Sequence, residues 1–222
     1  MERSLSKIRD VDLKILSELG DRDVLNYCKT HKYGNELCNN EDFWRNRLQL
    51  KYPGSEGLKS LRDTWKDFYL KIMYYFDKYK TPDKAMVEAV RKNDIEMVKF
   101  FILQGASKWG DGMDLASYLG NRKLVDFFIQ NSKSAGEEWE EDDWNMWLAA
   151  AAEGGHIDLM KFFIAQGADG LNLAMYIAAR GGNKQAVDYL ISQGANHWLE
   201  GLRGAKDGRH KQLINFFENK LV

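Results

Sequence analysis

The chain carries a short motif that occurs five times after Pro82, and this repetition limits the possible fold more than any other feature. Lys99-Phe100-Phe101-Ile102 recurs as Asp126-Phe127-Phe128-Ile129, Lys161-Phe162-Phe163-Ile164, Asp188-Tyr189-Leu190-Ile191 and Asn215-Phe216-Phe217-Glu218. The spacings are 27, 35, 27 and 27 residues. Three further columns keep the same register. Ala89, Ala116, Ala151, Ala178 and Ala205 form one, and Met86, Met113, Leu148, Met175 and Leu202 form another. Val98, Val125, Met160, Val187 and Ile214 form the third. A fixed period of this size marks stacked supersecondary units.

Each unit reads as two short helices. In the first, an apolar residue lies three positions before the shared alanine, so the two occupy one helical face. The second starts after a break such as Asn93-Asp94, Gly154-Gly155 or Gly181-Gly182. It then sets Met97, Val98, Phe101 and Ile102 at helical spacing, an apolar stripe that needs a cover. Gly105, Gly167 and Gly194 stand just past its end, where helices stop. Two such helices cannot bury the stripe alone, so stacking must supply the stability. Only two prolines, Pro53 and Pro82, stand against 19 glycines, as suits helices joined by glycine-stopped turns rather than a turn-rich β protein.

The stretch Ala150-Ala151-Ala152-Glu153-Gly154-Gly155-His156-Ile157-Asp158-Leu159-Met160-Lys161-Phe162-Phe163-Ile164-Ala165-Gln166-Gly167-Ala168 resembles the core of an ankyrin repeat. The family's Thr-Pro-Leu-His opening is absent, and the period is shorter than its usual ~33 residues, which implies trimmed hairpins between units. His156 matches the family's loop histidine, for which the resemblance implies a bond to backbone. The endings Gly105-Ala106-Ser107-Lys108-Trp109 and Gly194-Ala195-Asn196-His197-Trp198 are similar to those of ankyrin proteins of large DNA viruses. The expected fold is all-α: a short ankyrin-like helix-pair solenoid preceded by a small three-helix module. Five repeats are expected over residues 82–222, at about 82–108, 109–135, 136–170, 171–197 and 198–222.

Residues 1–52 do not repeat. Val11, Ile15, Leu16 and Leu19 make an amphipathic helix stopped by Gly20, and Asp21-Arg22-Asp23 can cap a second helix carrying Val24, Leu25, Tyr27 and Cys28. Glu36-Leu37-Cys38 leads on to Phe43-Trp44. This order resembles an F-box, through the run Leu13-Lys14-Ile15-Leu16-Ser17-Glu18-Leu19, the turn and helix Asp21-Arg22-Asp23-Val24-Leu25, then Cys28-Lys29 and Phe43-Trp44-Arg45. The usual Leu-Pro opening is replaced by Arg9-Asp10-Val11-Asp12. The resemblance implies that Val11, Leu13, Ile15, Leu16, Leu19, Val24, Leu25 and Leu37 dock a Skp-type linker subunit of a ubiquitin ligase while the repeats hold a target protein. Across residues 53–81, Leu58, Leu61, Trp65, Phe68, Tyr69, Ile72, Tyr75 and Phe76 follow helical spacing. That aromatic helix is expected to pack the module against the first repeat, a nucleobase-stacking platform being the alternative.

The spacing of 35 comes from an insertion containing Glu137-Glu138-Trp139-Glu140-Glu141-Asp142-Asp143. It is either a solvated loop whose last acids precede a helix beginning near Trp144, or a recognition patch. In the second reading Glu138, Trp139, Glu140, Glu141 and Asp142 grip a basic segment of a partner. Trp109 and Trp198 occupy equivalent places between units and either pack over the junctions or touch that partner. Cys28, His31 and Cys38 fit no common zinc spacing and read as buried thiols, and two cysteines make no disulfide scaffold. A reducing compartment follows: cytoplasm or nucleus, and host cytoplasm if the source is viral.

The charges nearly cancel, 32 Lys+Arg against 33 Asp+Glu, whereas a phosphate-neutralising binder usually carries a basic excess. No apolar run approaches the ~18–20 residues of a membrane span, and the first residues do not form an apolar leader. There is no P-loop, no G-x-G-x-x-G after a strand, no H-E-x-x-H and no nucleophile elbow. The expectation is a non-catalytic adaptor with no cofactor and no metal. A different reading makes the N-terminal helices a structural cap on an ankyrin binder with no ubiquitin link. A third, a small-molecule or nucleic-acid binder, needs a basic pocket formed by Arg180, Lys184 and Lys211.

Overall fold

Caps and left-handed turns divide the chain into short helices in the computed structural model, which describes residues 16, 19–30, 32–136 and 138–221. The described residues hold 14 α-helices and no strand. They are α1 Asp21–Thr30, α2 Lys32–Cys38, α3 Glu41–Lys51, α4 Trp65–Tyr79, α5 Pro82–Arg91, α6 Ile95–Leu103 and α7 Trp109–Tyr118. There follow α8 Arg122–Ala135, α9 Glu141–Gly154, α10 Ile157–Ala165, α11 Leu171–Gly181, α12 Lys184–Ser192, α13 Trp198–Asp207 and α14 Lys211–Glu218. Two compact units emerge: the described residues of Met1–Met86 with Glu96–Ser107, and Val87–Ile95 with the described residues of Lys108–Val222.

In the first unit α1 packs on α2, α2 on α3, and α3 on α4. Asn40 caps α3 by accepting from the Asp42 amide (2.9 Å), and Thr64 caps α4 by accepting from Asp67 (3.0 Å). The second cap explains why the apolar series from residue 58 does not form one helix. Leu58 ends a 3-10 turn, Leu61 is fully exposed, and only from Trp65 does the helix run. Its stripe Phe68, Tyr69, Ile72 and Tyr75 is buried. Tyr75 meets Phe101 at 5.3 Å between ring centroids, Phe68 meets Phe100 at 6.3 Å, and Tyr52 meets Phe100 at 5.3 Å. The aromatic helix therefore joins α3 to the Phe100-Phe101 pair, and the rings of Phe68, Tyr69 and Tyr75 are buried and offer no face for a nucleobase.

The two cysteines differ from the sequence expectation of free thiols. α1 and α2 pack on each other, which brings the Cα atoms of Cys28 and Cys38 to 5.8 Å, and the two sulfurs are bonded. A reducing compartment can no longer be argued from unpaired cysteines.

In the second unit the leading helices of each pair, α7, α9, α11 and α13, pack side by side in chain order, each backed by its own second helix. Ala116, Ala151, Ala178 and Ala205 are completely buried, so the small side chain marks where leading helices approach. Five equivalent turns between paired helices take positive φ: Asn93 (54°), Gly120 (71°), Gly155 (77°), Gly182 (80°) and Arg209 (61°). After the last three of these turns the next residue reaches backwards. His156 Nε2 donates to the Tyr118 carbonyl (2.9 Å), Asn183 Nδ2 to the Glu153 carbonyl, and His210 Nε2 to the Arg180 carbonyl (2.9 Å). Tyr118, Glu153 and Arg180 stand at equivalent points near the ends of α7, α9 and α11, where helix carbonyls run out of partners. The last three pairs thus each complete the leading helix of the pair before.

A second ladder holds the loops. Asn145 Oδ1 accepts from the Asp169 and Gly170 amides (both 2.8 Å), and Asn172 Oδ1 accepts from Asn196 (2.8 Å) and His197 (3.0 Å). In the first unit Asp83 does the same for Ser107 (2.8 Å). The equivalent position in the second repeat is Gly110, which has no side chain to offer. That repeat also carries Ser132 where the first, third and fourth have a stop glycine, so α8 continues to Ala135 before Gly136 turns it at φ 75°. The long spacing follows from these two missing signals. Replacing Asn172 with alanine is expected to cost the second unit about 1–2 kcal/mol in urea unfolding, for two lost amide partners. Hydrogen exchange should quicken at the Asn196 and His197 amides, and unchanged exchange there would remove this bracket from the account.

Candidate protein-interaction face

The residues implied in docking a linker subunit separate into three groups. Val11, Leu13 and Ile15 lie outside the described residues. Leu16, Val24 and Leu37 are buried in the first unit, so none of them offers a surface. Leu25 is half-buried and Leu19 is exposed. Leu25 lines a groove of about 660 Å³ with Tyr52, Leu70, Met73, Tyr74 and Phe76, and the Arg22–Asp77 ion pair (3.1 Å) lies among the polar groups beside them.

What turns this segment inwards is a buried cation. Arg47, with no solvent exposure, donates to the carbonyls of Leu16 (2.8 Å) and Leu19 (2.6 Å), to Asp21 Oδ1 (2.6 Å) and to the Tyr69 hydroxyl (3.0 Å). Tyr69 donates in turn to Asp21 Oδ1 (2.6 Å), and Lys51 Nζ pairs with Asp21 Oδ2 (2.6 Å). Burial pushes the Asp21 carboxyl up, but hydrogen bonds from Lys51, Tyr69 and Arg47 outweigh it and hold the group below its ordinary value. Sequence reading missed Arg47, because an arginine in a helix normally reads as solvated.

Of the other candidates, Trp139 does not stand free. Its ring meets Trp147 edge-on at 4.9 Å, and Trp147 is completely buried. Glu140 begins α9, where its backbone amide donates to the Asp143 side chain (2.9 Å) and the two residues form a capping box. Glu138, Glu140, Glu141 and Asp142 are exposed around this helix start. Trp109 and Trp198 are half-buried at the first positions of α7 and α13, and Lys220 lies over the Trp198 ring at 5.8 Å. Of Arg180, Lys184 and Lys211, which a basic pocket would need, two are already paired with acids. Arg180 pairs with Glu153 (2.9 Å), and Lys184 pairs with Asp188 and covers the Phe216 ring at 4.1 Å. No metal-binding cluster occurs among the described residues. No helix among them is long and apolar enough to cross a membrane.

One surface of the second unit that the preceding contacts do not use runs across its leading helices. Asp114, Leu115 and Tyr118 of α7, Met146, Ala149, Ala150 and Glu153 of α9, and Ile177 of α11 line a groove of about 450 Å³. A second hollow of about 400 Å³ continues between α11 and α13, lined by Asn172, Leu173, Tyr176, His197, Glu200 and Arg203. Tyr118, Met146 and Leu173 hold 45%, 46% and 55% of their surface in water, large apolar groups that no described neighbour covers. These positions differ from repeat to repeat, so a search for recurring columns passes over them.

Burial, then the neighbouring charges of Glu153 and Asp111, keeps the Asp114 carboxyl above its ordinary value. A carboxylate raised in the folded state destabilises once it must ionise, so stability falls as pH rises past the unfolded value of 3.8. Asp114→Asn should therefore raise the melting temperature at neutral pH, and the difference should vanish in acid below that value. Melting curves across pH check the sign, and a lower melting temperature at neutral pH would contradict it.

Residues 113–200, which cover most of this face, match the family model for ankyrin repeats in three copies. No curated protein matches the chain. Residues 113–200 thus form ankyrin repeats, a protein–protein interaction module, and the described residues build them as a helical solenoid without strands.

Proposed function

We propose that the chain is a non-catalytic adaptor whose ankyrin repeats hold a target protein on the leading-helix face of α7, α9, α11 and α13. The observation that carries this reading is the row Tyr118, Met146 and Leu173, three large apolar side chains exposed on three successive helices of one rigid stack. Such anchors on a scaffold that does not need to reorganise give binding at low entropic cost. The test is capture of target from extract by purified protein. Tyr118→Ala, Met146→Ala and Leu173→Asp should each lower recovery about tenfold or more, while circular dichroism stays unchanged. Undiminished recovery by all three variants overturns the assignment of this face.

The finer reading is that residues 8–47 act as an F-box and link the bound target to a Skp-type subunit of a ubiquitin ligase, so that gain comes from effective concentration. It is supported by Leu25, which lines the groove on α1 and α4, and by Leu19, which is exposed just before α1. Leu19→Asp and Leu25→Asp should abolish a complex with the purified linker subunit. If wild-type protein forms none, the N-terminal helices are a structural cap on an ankyrin binder.

A further inference from the structure

The groove across α7, α9 and α11 has an unbalanced charge. Glu153 already has a cation, since Arg180 Nη2 lies 2.9 Å from its Oε1. Asp114, half sunk in the groove floor, has neither a cation nor a hydrogen-bond donor among the described residues. Around it the lining is apolar: Leu115, Tyr118, Met146, Ala149, Ala150 and Ile177. A carboxylate withdrawn this far from water without a partner is held at a cost, and a cation delivered into the groove would remove that cost. The apolar walls suit a charged head on a long methylene stem, because such a stem packs on apolar surface while its head meets the acid.

We propose that this groove receives a lysine or arginine side chain of a protein partner, with the cation on Asp114 and Glu153 and the stem against Tyr118, Met146 and Ile177. The proposal rests on the reading of this face as the target-binding surface and adds the chemistry of the target: a basic residue with apolar neighbours. An acidic segment is excluded, because it would set a third carboxylate beside Asp114 and Glu153. The second hollow extends the preference. Leu173 and Tyr176 offer an apolar seat for a neighbouring side chain, flanked by Glu200 and Arg203, which carry charges of both signs.

The experiment uses the full chain and an array of random twelve-residue peptides as the probe. Wild-type protein should retain peptides enriched in lysine or arginine beside an apolar residue. For a retained peptide, changing that basic residue to norleucine should weaken binding about tenfold or more. Asp114→Asn with Glu153→Gln should lose the basic preference but keep the apolar one, whereas Tyr118→Ala with Met146→Ala should lose capture altogether. Peptides that bind without basic enrichment, yet are lost in the Tyr118 and Met146 variant, overturn the cation site and leave the protein-binding face standing. Capture unaffected by the Tyr118 and Met146 changes, or no enriched peptide at all, overturns both. The two specificities differ in the array, so an Arg-only or Lys-only enrichment identifies which cation the groove takes.

Discussion

Replacing Arg47 with methionine is expected to destabilise the first unit by about 3–5 kcal/mol, the largest effect of any single change considered for this chain. The side chain is completely enclosed and ties together four separate segments: the carbonyls of Leu16 and Leu19, the head of α1 through Asp21, its own helix α3, and α4 through Tyr69. Methionine fills much of the same space but donates nothing. It leaves two carbonyls and the Tyr69 oxygen short of a donor, and Asp21 dependent on Lys51 and Tyr69 alone. The loss should be concentrated in this unit. Hydrogen exchange would show opening of α1, α3 and α4, while amides of α9 to α14 keep their protection. Pairing the change with Asp21→Leu should restore part of the stability, because the stranded charge goes with it. Unaltered protection in α3 and α4 of the single variant would mean the guanidinium network is not what orders this segment.

The second large effect is expected at Gly154. A methyl group there would run into the carbonyl oxygen of Tyr118, the same oxygen that His156 holds, and would come within 2.6 Å of the His156 ring. Backbone cannot swing aside as a long side chain can, so Gly154→Ala should cost about 1–3 kcal/mol and loosen α7 from α9. Gly110→Ala is the matched control. Nothing lies within 4 Å of its hypothetical Cβ, and alanine is the better helix former by up to about 1 kcal/mol. Urea unfolding of the two variants should therefore move in opposite directions. If both shift alike, close backbone approach does not set the cost.

The repeat register was legible because it is written in buried side chains. Met86, Ala89, Val98, Met113, Ala116, Val125, Leu148, Ala151, Met160, Met175, Ala178 and Val187 were grouped by column, and each is completely enclosed. A stacked contact must recur wherever the stack recurs, so packing prints a period on the sequence. Asp114, Tyr118, Met146 and Leu173 have no such duty, and their identities change with each repeat. The groove they form is visible only after three helices have been set side by side. The burial of N-terminal side chains was less legible for a related reason. Whether Leu16, Val24 and Leu37 face outwards depends on contacts from α3 and α4, such as those of Arg47 and Tyr69, which spacing along the chain does not announce. The Cys28–Cys38 bond likewise needed the packing of α1 on α2, which ten residues of sequence separation do not announce.

The backward reach of His156, Asn183 and His210 gives the chain a direction of vulnerability. Synthesis proceeds from the N-terminus, so the carbonyl of Arg180 waits for a residue made 30 positions later, and that of Tyr118 for one made 38 positions later. Through these pairs a nascent chain carries one leading helix whose far end is still open. A premature stop would strike in the same direction: it would harm the last pair retained as well as those removed, because the histidine or asparagine that closes that pair would never be translated.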